Sequence, residues 1–304
     1  MKVTVIGLGL IGGSIAKDLR KAGITSHLIG VDRNPEHAKK ALELNLVNEV
    51  LSMEESLPSA DLVIVSIPVN AIQQSILNIL SLISDEAIVI DAGSTKSKIC
   101  EIAKDHPRRR QFVAAHPIAG TENSGPTAAL EGLFRNKINI ICDRESSSEG
   151  SLMVADKIFQ VLGMKTIFMD GKEHDKHVAY VSHLSHVSSF LLGQTVLDIE
   201  KDEKNIFALA GSGFASTVRL AKSSPDMWAP IFEQNSKYLK KALEEYIAHL
   251  QRFHKHLVNH ETEKLYEIMV QANEIRRVLS GIELNQSAPK SVDGDLNKIT
   301  IKNQ

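Results

Sequence analysis

The sequence predicts an α/β protein: an N-terminal Rossmann-type, doubly wound, mostly parallel sheet followed by a C-terminal all-helical dimerisation domain. Three observations carry this. An apolar strand at residues 3–6 runs into a glycine-rich turn and a helix. Short apolar runs then alternate with helical stretches as far as residue 169, the pattern of βα units. Beyond Lys172 the strand signal nearly vanishes and long helices with apolar stripes take over.

The first element is Val3, Thr4, Val5 and Ile6, which lead into Gly7-Leu8-Gly9-Leu10-Ile11-Gly12-Gly13 and a helix with apolar spacing. A Gly-x-Gly-x-x-Gly triplet alone is weak; between a strand and a helix it acquires a mechanism. Gly7 permits the tight turn, Gly9 lets the backbone approach a pyrophosphate, and Gly12 lets the helix pack against the strand. The helix start at Leu10 and Ile11 offers unpaired N–H groups to a phosphate. A second strand, residues 27–31, ends at Asp32, about 20 residues past Gly12, where an acid bonds the adenosine ribose hydroxyls. A carboxylate there repels a 2′-phosphate, so NAD is expected over NADP, with Arg33 beside it able to soften the preference. Asp32 as a plain turn or N-cap residue is the competing reading, and the three-part spacing outweighs it.

Residues 61–68 form the next strand, which ends at Ser66 and Pro68 on the expected adenine and ribose side of the crevice. Residues 87–91 open into Asp91-Ala92-Gly93-Ser94-Thr95-Lys96. Residues 112–115 form a short buried strand, and at its end stand His116-Pro117-Ile118-Ala119-Gly120-Thr121-Glu122. Strand ends form the ligand crevice of an open α/β sheet, so this imidazole sits where chemistry is expected. A lone His-Pro would more often merely cap a strand. Strands at 138–142 and 165–169, with a helix at 152–162 between them, complete the sheet.

The helical half begins near Asp170-Gly171. Helices are expected at 187–197, 225–256 and 261–279; such striped helices pack on each other and on a partner subunit. The expected domains are therefore residues 1–171, which bind the dinucleotide, and residues 172–282, which are helical, with a loosely ordered polar tail or swapped arm at 283–304. His174, His177, His183 and His186 are spaced much as metal ligands are. No carboxylate or cysteine completes a ligand set, so no metal is expected and helix-face polar groups lining a cleft are preferred. For His177 a satisfied core histidine remains an open alternative.

With 304 residues the chain has room for two domains and a sizeable core. A net charge of −2 gives no strong field toward nucleic acid or an acidic membrane. Arg108-Arg109-Arg110 is expected to be a solvated loop. Cys100 and Cys142 lie in apolar contexts and read as small buried hydrophobes. The fold is expected to begin at Lys2, with no signal peptide before it, and no apolar stretch is long enough to span a membrane, so a cytoplasmic location is expected.

The glycine loop, the Asp91–Lys96 segment, the His116–Glu122 block, Ser182-His183-Leu184-Ser185-His186 and the run from Gly213 to Arg219 occur in the order found in the prephenate dehydrogenase family. The chain resembles that family over roughly residues 1–281, the His-Pro-x-x-Gly-x-Glu block being the most specific element. It departs at Ser185, often proline there, and at Ser212, within a cluster often richer in glycine; neither removes a catalytic group. The resemblance implies a homodimer that uses NAD to convert prephenate to 4-hydroxyphenylpyruvate by oxidative decarboxylation in tyrosine biosynthesis. It implies His116 as the acceptor of the ring hydroxyl proton and Ser94 as the residue orienting His116 or that hydroxyl. Arg219 would hold a substrate carboxylate, a task suited to a guanidinium fork. Ser182 and His186 would contact the substrate side chain or product tyrosine, and His174 would face the site. Thr121 and Glu122 would join the substrate set, with Glu122 pairing Arg219 as a gate. Trp228 lines the cleft or simply packs. Tyrosine feedback, with no appended regulatory domain, would act at the active site.

Three rivals remain. Arogenate dehydrogenase runs the same chemistry on the amino analogue, and no residue decides firmly between the two substrates. A β-hydroxyacid dehydrogenase joins the same two halves but would use a lysine on the helical domain; the His116 block argues against it. An NAD-responsive regulator would need a DNA-reading element or an effector-interaction tail, and no basic helix or recognisable helix-turn-helix is apparent.

Overall fold

Short runs of β-branched and aliphatic residues build one eight-stranded sheet in the computed structural model, which describes residues 1–201 and 205–287. The strands are β1 (Lys2–Ile6), β2 (His27–Val31), β3 (Glu49–Val50), β4 (Leu62–Val65), β5 (Ile88–Asp91), β6 (Phe112–Pro117), β7 (Ile138–Cys142) and β8 (Lys165–Met169). They lie in the order β3-β2-β1-β4-β5-β6-β7-β8. All pairs are parallel except β6 with β7. Because β1 lies between β2 and β4, strand order reverses there and opens a crevice at the strands' carboxyl ends.

Helices cover both faces, which is why every residue of β4 is buried. In chain order these are α1 (Leu10–Lys21), α2 (Pro35–Glu43), α3 (Met53–Ser56), α4 (Val69–Leu82), α5 (Ser97–Ala103) and α6 (Glu149–Val161). Alternate strand residues feed two cores. Val3, Val5, Ile64, Ile90 and Val113 pack with Ile15 and Leu19 of α1 and Phe159 of α6. Ile6, Val63, Val65 and Val89 pack with Ile72 and Ile76 of α4 and Ile99 of α5, joined by Cys100 and Cys142.

After β8 the described chain is helical. Asp170 caps α7 (Gly171–Val178) by accepting from the Lys172 and Glu173 amides. One π-helical segment, Ala179–His183, joins α7 to α8 (Leu184–Glu200). There follow α9 (Ser212–Val218), α10 (Pro225–Gln234), α11 (Ser236–Val258), α12 (Thr262–Ala272) and α13 (Ile275–Ser287). Residues Met1–Ile247 form one compact unit, and a second begins at Ala248.

Several expectations change. β3 is two residues long, too short for any periodicity to announce it. β6 runs two residues further than its apolar stretch, so His116 and Pro117 lie within the strand and pair with Ile140 and Asn139. The helix expected over 225–256 is two helices broken at Asn235, whose buried side chain donates to the Asp175 carbonyl at 2.7 Å and contacts His183. The helix expected over 261–279 likewise divides between Ala272 and Ile275. Helix α13 continues to Ser287, past the expected start of the polar tail; residues 288–304 lie outside the described residues. The basic run is not merely solvated. Arg109 is buried and donates to the Phe112 carbonyl at 2.8 Å, while Arg108 pairs with Asp85.

Candidate active site

The glycine turn is shaped for close approach by a phosphate. Gly7 holds φ +92°, the left-handed region. A side chain on Gly12 would overlap the Gly7 carbonyl and the Ser66 hydroxyl, whereas one on Gly9 would meet nothing nearer than the Gly125 amide at 4.0 Å. Gly9 is the N-cap of α1, no side chain caps that end, and its first turn holds no acid. The first-turn amides of Leu10, Ile11 and Gly12 therefore face the crevice without helical partners. Asp32 follows β2 and accepts from the Leu8 amide at 3.0 Å and the Asn34 amide at 2.9 Å, leaving further lone pairs for hydroxyl donors. Ser66 braces the turn, donating to the Gly7 carbonyl at 2.9 Å, and Pro68 stands at the N-terminal boundary of α4. This cradle of free amides, an open glycine and a strand-end acid fits a dinucleotide diphosphate and ribose.

His116 lies at the carboxyl end of β6, beside β5, whose own end leads into Ser94. Its Nδ1 is 2.8 Å from His174 Nε2, and His174 Nδ1 is 2.8 Å from Asp175 Oδ1. Asp175 also accepts from the Lys96 amide at 2.8 Å and the Ser97 amide at 2.9 Å, tying the start of α5 to α7. Lys96 is fully buried, ion-paired with the equally buried Asp91, and donates to the Ala115 carbonyl at 2.7 Å. Enclosure holds the His116 imidazole well below its ordinary pKa, and His174, Lys96 and His183 add to the effect. Burial likewise lowers His174, against the opposing pull of Asp175. Burial tends to raise the Asp175 carboxyl, but hydrogen bonds from His174, Ser97 and Lys96 outweigh it and hold it low. Near neutral pH the array is thus two neutral imidazoles leading to a carboxylate.

The π-helical turn admits an extra residue per turn, a feature common at functional sites. His183 is buried against Asn235 at 3.0 Å, and burial pushes its pKa down to about 4. Ser182 and His186 are half-buried, and His186 Nδ1 lies 3.0 Å from the Ser182 carbonyl. His186 stacks on Trp228 with ring centroids 3.5 Å apart, and His183 meets the same indole edge-on. Burial lowers the His186 pKa, and Arg219 is near enough to lower it further. Arg219 donates to Glu122 at 2.8 Å, so the loop after β6 is tied to the helical wall. Thr121 accepts from the Asn123 amide at 3.2 Å within that loop.

Two sequence-derived positions sit differently from the resemblance. His174 is fully buried with both nitrogens committed to His116 and Asp175, which leaves none for a substrate. The orienting bond to His116 comes from His174, while Ser94 is half-buried and forms no hydrogen bond among the described residues. Sequence reasoning missed Asp175, Asn235 and the Asp91–Lys96 pair. Asp91 and Lys96 bracket a segment already singled out, and Asp175 directly follows a candidate histidine; only their burial in three dimensions marks them.

A glycine turn with a strand-end acid, and an imidazole at the same carboxyl edge of the sheet, fit the class that the comparisons with known proteins show, an NAD-dependent dehydrogenase. The sequence profile of the "Prephenate dehydrogenase, nucleotide-binding domain" matches residues 15–168, and that of the "Prephenate dehydrogenase, dimerization domain" matches residues 170–271. A prephenate dehydrogenase of Bacillus subtilis is 30% identical over 94% of this chain and 78% of its own length. The structure of prephenate dehydrogenase from A. aeolicus in complex with hydroxyphenyl propionate and NAD+ superposes with a TM-score of 0.82 at 31% identity, covering 92% of this chain and 98% of that one. Arogenate dehydrogenase of Synechocystis matches with a TM-score of 0.72 at 31% identity, over 92% of this chain and all of that one. This chain belongs to the prephenate dehydrogenase family.

Proposed function

We infer that the protein carries out NAD-dependent oxidative decarboxylation of prephenate to 4-hydroxyphenylpyruvate in tyrosine biosynthesis. The observation that carries this furthest is His116, a neutral imidazole at the end of β6, on the same carboxyl edge of the sheet as the glycine turn after β1. NAD, when bound, supplies the hydride-accepting ring. The substrate's ring carbinol loses hydride from carbon while His116 takes up its hydroxyl proton. The bond to the ring carboxylate then breaks, carbon dioxide leaves, and its electron pair makes the ring aromatic. The phenol oxygen regains the proton from His116, so no net proton is released. In this reading Ser94 steers the hydroxyl, and Arg219, released from Glu122, holds a carboxylate by a bidentate fork. Ser182 and His186 flank the side-chain end, with Trp228 behind His186. Tyrosine, sharing the product's ring and side-chain frame, would inhibit by occupying this same site.

Prephenate, arogenate and a 3-hydroxy acid assayed in parallel for dinucleotide reduction test the reading. Turnover of prephenate well above the other two supports it, and preference for arogenate transfers the chemistry to the amino analogue. Turnover of the hydroxy acid alone would sink it.

Cofactor choice follows from Asp32. The enzyme should prefer NAD over NADP, and Asp32→Ser should narrow or reverse the ratio, with Arg33 able to meet a 2′-phosphate. Equal kcat/KM for both cofactors in the unmodified enzyme would remove Asp32 from the ribose site.

The working form is a homodimer, supported by the match to the family's dimerization domain and by apolar side chains of α8 left exposed, among them Leu191, Leu197 and Ile199. Light scattering at micromolar concentration should return about twice the chain mass of 33.4 kDa. A mass of one chain would contradict it.

A further inference from the structure

We propose that His174, held by Asp175, is a positioning residue that locks His116 in the tautomer carrying hydrogen on Nδ1, so that Nε2 presents its lone pair to the substrate hydroxyl. The inference rests on the reading of His116 as proton acceptor, and it names which nitrogen acts and what sets it. The hydrogen-bond directions follow from the carboxylate end. Asp175 accepts from two backbone amides, Lys96 and Ser97, so its oxygens face donors on every side. At 2.8 Å from Asp175 Oδ1, His174 Nδ1 must carry the hydrogen. A neutral His174 then has only a lone pair on Nε2, and the 2.8 Å contact to His116 Nδ1 is satisfied only if His116 donates. Its other nitrogen is left bare.

The neighbours oppose the alternatives. Lys96, His183 and His174 are the titratable groups acting on His116, and each disfavours a resting positive charge there. The Lys96 charge is itself paired with Asp91, and its remaining contact is the carbonyl of Ala115, one residue before His116. His183 is turned toward Asn235, and Asn235 also holds the Asp175 carbonyl at 2.7 Å. Strand β6, helix α7 and the α10–α11 junction are thus bolted together around one imidazole pair. In free imidazole the hydrogen exchanges between the two nitrogens; here the protein removes that choice before substrate arrives.

Nitrogen NMR of the histidine rings reads this directly, with His116 signals assigned by their loss in His116→Asn. In the unmodified protein His116 should show a protonated Nδ1 and a bare Nε2. His174→Leu removes the acceptor; it should shift the His116 hydrogen toward Nε2 and lower kcat by about 10–100-fold, the size of loss seen when the partner orienting a metal-bound histidine is removed. KM and NAD affinity should stay unchanged. His174→Gln places an amide oxygen near the lost Nε2 and should restore both the Nδ1–H signature and part of kcat. A protonated Nε2 on His116 in the unmodified protein overturns the proposal without need of a variant. So does a His174→Leu enzyme with unaltered tautomer, or one that Gln fails to rescue. If the ring signatures behave as stated while prephenate is not turned over, the positioning stands and the functional reading falls.

Discussion

Replacing His116 with Asn is expected to lower turnover on prephenate by about 10²–10⁴-fold, the usual contribution of a positioned general base. Asparagine keeps a polar side chain of similar bulk but cannot take a proton near neutral pH. Affinity for NAD should hardly change, because the residues proposed to hold the dinucleotide, the Gly7–Gly12 turn and Asp32, follow β1 and β2 rather than β6. The pH profile adds a second, independent mark. Activity needs neutral His116, so rate is lost as pH falls through its pKa. An unperturbed imidazole would put that limb near about 6.5. Enclosure, aided by His174, Lys96 and His183, disfavours the charged ring, so the acid limb of kcat/KM should lie clearly below that value. Near-normal turnover with an intact acid limb in the variant would make His116 structural. Arg219→Ala, by contrast, should act mainly on KM, since a carboxylate is present in ground and transition states alike.

The other large effect is on stability. Lys96 and Asp91 are both fully buried and paired, and the lysine's remaining partner is a backbone carbonyl. Lys96→Met leaves the Asp91 carboxylate buried with, among the described residues, only the Gly93 amide, at 2.7 Å, as a donor. Breaking such a pair by removing one partner costs about 3–5 kcal/mol. For a chain of this size that is a fall in Tm on the order of 10 °C. The double variant Asp91→Leu with Lys96→Met removes both charges and should recover most of the loss, because replacing a buried pair with apolar groups is often neutral. Thermal unfolding of the three proteins decides it. A Lys96→Met protein that melts like the unmodified one would show that the two side chains do not form a buried charge pair.

The parts of the fold that repeat were legible in the sequence. Seven of the strands announce themselves as apolar runs between turns, and the Gly7–Gly12 turn can be read because Gly7 and Gly12 answer steric demands of the fold while Gly9 borders open space. Strand β3 escaped because two residues carry no period. The break at Asn235 escaped because helical stripes continue on both sides; the kink arises from a buried amide bonding to α7 and to the π-helical segment, a tertiary contact no local pattern encodes. The site divides in the same way. His116 could be picked out by its strand-end position, and Asp32 by its distance from the turn. His174 was visible as a histidine but not as one with both nitrogens taken, and Asp175 reads as an ordinary helical acid until α5 is seen resting on it. Lys96 is the sharpest case. A lysine is among the last residues expected at zero exposure, and only the neighbouring Asp91 makes that burial tenable.

Coupling of hydride loss from the ring carbinol to loss of the ring carboxylate is tested by measuring reduced NAD and carbon dioxide in the same sample of enzyme and prephenate. Equal amounts of the two are expected, with 4-hydroxyphenylpyruvate as the organic product and both signals depressed together in His116→Asn. Reduced NAD formed without carbon dioxide, or no reaction of prephenate at all, would contradict that coupling.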